Sequence, residues 1–344
     1  MNRKDPSPRS VDFRRLPKNS SGVALITILL VVVIATVLGV SMTTDQHFAI
    51  SRAQTFQSQS VVKQYALGGE ELARQILYQD FLDAPEVDHL GESWAAENLK
   101  FDFEEGEIEL KITDLQGSIN VNSLLIEGGD ARVAKSRVQT IFSEQGADPI
   151  FVDRIKDWID EDNGVSGVGA EDFDYLGLDR PYRTANQKMV NVSELRLVLD
   201  MDRETFELIS PYIAAVANPN VDININTASP IVLQAVAPGL DRSSAESITA
   251  SRDNGTPYNS VEDFFADPAQ NQTSANNANL TGLSVQSSFF QVSVRARFQD
   301  RFGYLTSVIQ RDRTNGTLRV IYRDMSQKIQ PFIVEGSEQG NQNG

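Results

Sequence analysis

The chain contains no cysteine and only two histidines, His47 and His89, among its 344 residues. Disulfides, thiolate metal sites and cysteine nucleophiles are therefore excluded. Zinc hydrolysis and a Ser-His-Asp triad have little imidazole to draw on. Positive charge is scarce too: 31 basic residues stand against 47 acidic ones, a formal charge of −16. On average such a surface repels nucleic-acid phosphate and anionic lipid. Proline is missing from a long stretch, between Pro17 and Pro85, so one uninterrupted helix is allowed there. The hydrophobic share of 40% suffices for two or three packed units.

What is present begins with residues 1–22. They carry Arg3, Lys4, Arg9, Arg14, Arg15 and Lys18 against Asp5 and Asp12, are broken by three prolines, and end in Gly22. From Val23 to Met42 runs a stretch of 20 residues without a charge. As a helix it is about 30 Å long, enough to cross a bilayer. The basic leader keeps to the cytoplasmic side, which puts everything after about Thr44 outside, in a Gram-negative cell the periplasm. A cleaved secretory signal has a shorter apolar core and a small-residue site after it, and neither is seen. Beyond the apolar stretch, Val62, Tyr65, Gly69, Leu72 and Ile76 recur at helical spacing, so one helix is expected from Val23 to about Phe81.

The expected fold class is α+β. A strand is read at Gly106–Asp114 from strict alternation, and further strands at Phe289–Phe298, Tyr304–Asp312 and Leu318–Tyr322, the last pair closed by Asn315-Gly316. Between them, helices are expected at Ala131–Glu144, Pro149–Asp160, Val192–Leu199, Arg203–Ala217, Pro230–Ala237 and Ser243–Arg252. The organisation is then a leader at 1–22, a transmembrane and amphipathic helix at 23–82, the start of a sheet domain at 83–117, a helical insertion at 118–286, the closing strands at 287–334 and a disordered tail at 335–344. Ser118-Ile119-Asn120-Val121-Asn122 echoes Asp222-Ile223-Asn224-Ile225-Asn226, so the insertion is read as two similar units whose asparagines cap helices. The carboxy-terminal unit of the two resembles a helix-hairpin-helix, or a SAM-like helical fold if it serves protein contacts. Asp241, Glu246, Asp253, Glu262, Asp263 and Asp267 surround its hairpin against Arg242 and Arg252, which disfavours DNA.

Between Asp157 and Asp179 stand eight carboxylates and no Lys or Arg. They repel one another unless solvent or a hard cation screens them, and calcium suits such an irregular oxygen-rich loop. Asp160, Asp162 and Glu171 have EF-hand spacing, but Val165 replaces the required glycine, so this is not an EF-hand. A plain solvated loop explains the charges equally well.

A basic leader ending in glycine, then an apolar stretch running into an amphipathic helix, resembles type IV pilins and pseudopilins. Gly22-Val23-Ala24-Leu25-Ile26-Thr27 is similar to their processing site, which implies cleavage after Gly22 by a prepilin peptidase and methylation of Val23. That family has Glu at the fifth mature position, where it meets the amino terminus of a neighbouring subunit; here the residue is Thr27. Asp157-Trp158-Ile159-Asp160-Glu161-Asp162, Gly169-Ala170-Glu171-Asp172, Pro181–Asn186 and Val192–Leu195 resemble the signature region of the K-type minor pseudopilins of type II secretion. The resemblance implies a pilin-like fold, a structural rather than enzymatic role at the tip of the pseudopilus, and calcium held among Asp157, Asp160, Asp162, Glu171 and Asp172. Implied partners are I- and J-type minor pseudopilins, with the H-type a further candidate, the inner-membrane secretion platform, the peptidase and the membrane, but no nucleic acid. Implied localisation is the inner membrane, single-pass, with the carboxy-terminal part in the periplasm. Two other readings stand beside it: a membrane-anchored helix-hairpin-helix receptor for DNA uptake, and a calcium-dependent hydrolase using Glu171 and Asp172.

Overall fold

The structure is a computed structural model and describes residues 20–97, 99–269 and 279–326. The expected leader up to residue 19 and the expected tail at 335–344 lie outside these. By its contacts the chain divides after Ser60. The first unit holds the beginning of helix α1, which runs Ser20–Asp83 and contains a window long and apolar enough to cross a membrane, none of it buried. Among the described residues it is the one helix fit to serve as a membrane anchor.

In the second unit the remainder of α1 lies on a sheet of five antiparallel strands: β1 (Leu99–Phe103), β2 (Gly106–Asp114), β7 (Phe289–Phe298), β8 (Arg301–Arg311) and β9 (Leu318–Asp324), in that spatial order. Val62, Ala66, Ala73 and Leu77 form one helix face and meet Ile108, Leu110, Ile112, Val292, Val294, Leu305 and Ile309 of the sheet. Gly69 and Gly303 let the two layers touch. A Cβ on Gly69 would overlap Val294, and one on Gly303 would overlap Val62.

The sheet differs from expectation at its edges. Strand β1, not among the expected strands, pairs with β2 through the register Leu99↔Leu110 to Phe103↔Gly106. It is an edge strand with no buried position, although Leu99-Lys100-Phe101-Asp102-Phe103 alternates apolar and polar side chains. The turn between β8 and β9 is six residues long, one more than expected because β8 ends at Arg311 rather than Asp312, with Gly316 at φ +70. Asp312 closes it by accepting the Thr314 N–H at 2.8 Å.

Strands β2 and β7 are neighbours, Asp114 opposite Phe290, although the insertion separates them in sequence. The insertion comprises α2 (Ala131–Glu144), α3 (Ile150–Ile159), α4 (Asp172–Leu176), α5 (Arg203–Ile209), α6 (Pro230–Val236), α7 (Arg242–Asp253) and α8 (Val261–Phe265) around one continuous core. The helix expected over Arg203–Ala217 stops at Ile209, because Pro211 cannot donate to the helix ladder; the chain then makes a 3₁₀ turn and a short strand, β4 (Ile213–Ala214). Val192–Leu197 is 3₁₀ rather than α-helical.

The internal echo is structural. Strand β3 (Ile119–Asn120) pairs in parallel with β4, and β5 (Ile223–Asn224) with β6 (Leu283–Ser284). In each copy the first asparagine caps the residues after it: Asn120 Oδ1 accepts from Asn122 N, and Asn224 Oδ1 from Asn226 N. The other asparagine of each pair does more than the capping expected of it. Asn122 brackets the backbone of Met189, accepting its N–H and donating to its carbonyl at 2.8 Å each, and Asn226 does the same to Tyr258 at 2.9 Å.

Candidate metal centre in the acidic loop

Helix α3 buries Phe151, Val152, Ile155, Trp158 and Ile159 and turns Asp153 and Asp157 toward the loop that follows. Asp157 is fully buried and both its oxygens accept the Ser166 N–H, at 3.0 and 3.1 Å. Asp153, paired with Lys135 at 2.5 Å, accepts the Val168 N–H at 3.3 Å. Together they fold residues 162–169 back onto the helix. Glycine is needed where the loop comes closest: a Cβ on Gly169 would overlap the Asp157 carboxylate, and one on Gly167, at φ +58, that of Asp153.

This fold-back brings Asp160, Asp162 and Glu171 together. Each offers an oxygen within 4.8 Å of the other two. Asp160 follows the last turn of α3, Asp162 fixes the next turn by accepting the Gly164 N–H at 2.7 Å, and Glu171 precedes α4. Among the described residues Asp160 Oδ1 and both Glu171 carboxylate oxygens are buried without a close hydrogen-bond donor, the Glu171 side chain facing only backbone N–H groups of the first turn of α4. Asn186 Oδ1 is a fourth such acceptor. Its residue, at φ +45, donates its N–H to the Trp158 carbonyl at 3.1 Å and its side-chain amide to Asn163 at 3.4 Å.

Orphaned buried acceptors are costly, and orphaned carboxylates more so. Burial, then the charges of Asp162 and Asp157, push Asp160 up to about 6. Burial, then the charges of Asp157, Asp160 and Asp162, push Glu171 up to about 7. Burial also raises Asp157, against the pull of the Ser166 hydrogen bonds.

The five sequence candidates thus take different places. Asp157 shapes the loop from beneath. Asp172 faces elsewhere: its Oδ1 accepts from the Thr184 hydroxyl and N–H at 2.8 and 3.0 Å, and its Oδ2 pairs with Arg183. The Thr184 bonds, aided by Arg183, hold Asp172 below the usual carboxylate range. Asn186 is absent from the sequence candidates, since a lone asparagine carries no spacing signal. An aromatic trio, Trp158, Tyr175 and Tyr182, backs the site with centroids 5.3 to 6.2 Å apart.

At the other sequence-predicted site, Gly22 and Val23 lie in the first turns of α1, both exposed. Thr27 turns its hydroxyl inward, donating to the Ala24 carbonyl at 2.9 Å.

Comparison with known proteins places these features. Two family models described as type II secretion system (T2SS), protein K, match residues 117–218 and 223–286. The type II secretion system protein K of Klebsiella pneumoniae is 32% identical over 297 residues, covering 81% of this chain and 90% of its own. That of Pseudomonas aeruginosa is 32% identical over 333 residues, covering 93% of this chain and 97% of its own. Among solved structures, a chain of the GspK-GspI-GspJ complex from the enterotoxigenic Escherichia coli type 2 secretion system superposes with a TM-score of 0.69 at 24% identity, over 80% of this chain and 100% of that one. The shared fold is the long amino-terminal helix with its antiparallel sheet.

Proposed function

The chain belongs to the type II secretion system protein K family, and from that premise we propose that it is the tip subunit of the pseudopilus, cut after Gly22 and steadied by calcium. It acts in type II secretion as a minor pseudopilin. Prepilin peptidase removes the leader and Val23 becomes the methylated amino terminus. The apolar run from Val23 stays in the inner membrane, the basic leader faces the cytoplasm, and the rest works in the periplasm. The observation that carries the tip position is Thr27. Its hydroxyl is spent on the Ala24 carbonyl of its own helix, so this subunit offers no carboxylate to the amino terminus of a neighbour above it. It ends the row rather than continuing it.

The neighbours are other minor pseudopilins, of the I and J types, and the secretion platform beneath. That the solved chain is seen in a complex with GspI and GspJ supports this choice.

The loop residues fit a calcium ion. Asp160, Asp162 and Glu171 supply hard oxygens at converging positions, and Asn186 Oδ1 adds a neutral one. A bound cation supplies the positive charge that no Lys or Arg of this loop provides. The two units of the insertion act as SAM-like protein-contact modules rather than DNA readers. At the hairpin between α6 and α7 the carboxylate of Asp241 already accepts from the Ser243 and Ser244 hydroxyls and the Ser244 N–H, where a phosphate would otherwise be gripped. The Ser243 bond, with those of Ser244, holds it down to about 2, so it stays charged and repels phosphate.

Co-expression of the full chain with I- and J-type subunits tests the tip position. A stoichiometric complex is expected, and Thr27→Glu should let further subunits add above it and lengthen the fibre. No association at about micromolar concentration would count against the assignment.

A further inference from the structure

The lower end of α1 meets the segment leading into the sheet in a buried cluster that the secretion role does not use. Asp80 from the last turn of α1, and Asp88 and Glu92 from the segment after it, each offer an oxygen within 4.8 Å of the others. Among the described residues only one cation answers them. Arg311, from the end of β8, is 4% exposed; it donates to Asp80 at 2.9 Å, pairs with Asp88, and reaches the Ser287 carbonyl at 3.1 Å. Ionised together, three carboxylates and one guanidinium leave two negative charges in a place almost closed to water.

The partners say where the excess is relieved. Asp88 is answered by both Arg311 and the Ser287 N–H, the latter at 2.7 Å. Glu92 turns Oε2 to the His89 N–H at 3.0 Å and the Trp94 indole N–H at 2.7 Å, but its Oε1 is buried without a hydrogen bond, only 3.9 Å from the His89 ring. Burial lowers His89 below the usual imidazole range, against the pull of the Asp88 charge, so its surroundings favour the neutral ring. Of the remaining groups, Asp114 on β2 is held by Ser287 and Thr227 at 2.6 Å each, and Arg313 is taken by Asp222 and the Gln286 carbonyl. None supplies a further positive charge.

We propose that Asp80 and Glu92 share a proton in the folded protein and form a pH-sensitive latch that holds the end of α1 to the segment entering the sheet. With the proton in place the cluster keeps one net negative charge. Without it, two like-charged carboxylates face each other in a dry site and the segment 84–95 loosens. Burial, followed by the Glu92 charge, pushes Asp80 up to about 7, and burial raises Glu92 also. Both folded-state values lie above the unfolded ones. The latch is therefore closed at low pH and opens as pH rises through about 7.

The indole bonded to Glu92 reports the state of the latch. In the full chain in detergent, carrying Trp158→Phe so that Trp94 is the remaining tryptophan, emission is followed from about pH 5 to about pH 9, beside amide exchange of residues 84–95 corrected for the chemical rate. A single transition near pH 7 in both signals is expected, with protection of 84–95 falling about tenfold while that of 131–144 holds. Asp80→Asn and Glu92→Gln should each remove the transition. Flat wild-type profiles overturn the proposal, as does a transition that survives both substitutions. A signal that follows added calcium or chelator instead of pH overturns it as well. Should neither variant fold, exchange in the unmutated chain decides by the same criterion.

Discussion

Calcium binding at Asp160, Asp162 and Glu171 should be driven by pH, with a slope the structure specifies. In the ion-free site Asp160 titrates at about 6 and Glu171 at about 7, so below pH 6 a cation must expel two protons and between 6 and 7 only one. Affinity should climb roughly a hundredfold per pH unit below 6, about 2.7 kcal/mol, and tenfold per unit from 6 to 7, then level off. Calcium set at about a hundred times Kd at pH 7.5 stabilises the fold by about 2.7 kcal/mol. At pH 5.5 the same concentration is close to Kd and contributes about 0.4 kcal/mol. Without calcium the sign reverses. Folded-state values raised above the unfolded ones mean that stability is greatest at low pH and is lost as pH rises through 6 to 7. Melting curves of the full chain in calcium and in chelator should thus nearly coincide at pH 5.5 and separate by several degrees at pH 7.5. Proton release, measured by titration calorimetry in two buffers, should approach two per ion at the acidic end. The pair Asp160→Asn and Glu171→Gln should erase both effects. Parallel melting profiles, or binding of equal strength at both pH values, would refute the reasoning.

Three further outcomes are expected. Gly22→Trp should leave the unprocessed precursor in the membrane, read as an intact leader by amino-terminal mass spectrometry; normal processing would rule out the cleavage site. Gly303→Ala and Gly69→Ala drive a methyl into Val62 and Val294, so each should cost about 1 to 3 kcal/mol and lower the melting temperature of the second unit by several degrees. Arg311→Met strands Asp80 and Asp88 without their cation and should cost about 3 to 5 kcal/mol in denaturant titration, part of which Asp88→Asn restores.

The long helix, the alternating strands and the paired insertion units were legible because periodicity is a local property. Gly106–Asp114 and Phe289–Phe298 read correctly within a residue, since each has one face on the core. Strand β1 alternates as well, over Leu99–Phe103, but as a five-residue edge with no buried position it carries the weakest signal of the five. At the candidate centre the clustering of Asp160, Asp162 and Glu171 was within reach of spacing alone, as all three lie inside twelve residues. The diversion of Asp172 to Thr184 and Arg183 was not, because it depends on how the returning chain packs. Arg311 shows the limit most plainly. Nothing near it in sequence announces that it will be buried against carboxylates more than two hundred residues away.

The pairing of β2 with β7 bears on how the molecule is made. A ribosome delivers β2 long before β7, so the hydrophobic face formed by Ile108, Leu110 and Ile112 waits while the whole insertion is synthesised. During that wait the β1–β2 hairpin is an unpaired edge, the kind of surface that invites aggregation. The insertion has a core of its own and leaves and re-enters the sheet at adjacent positions, Asp114 and Phe290, so it can fold first and bring β7 to the waiting strand. Slow steps in refolding should therefore reside in closure of the sheet, whose contacts are the most distant along the chain, and not in the helices that interrupt it.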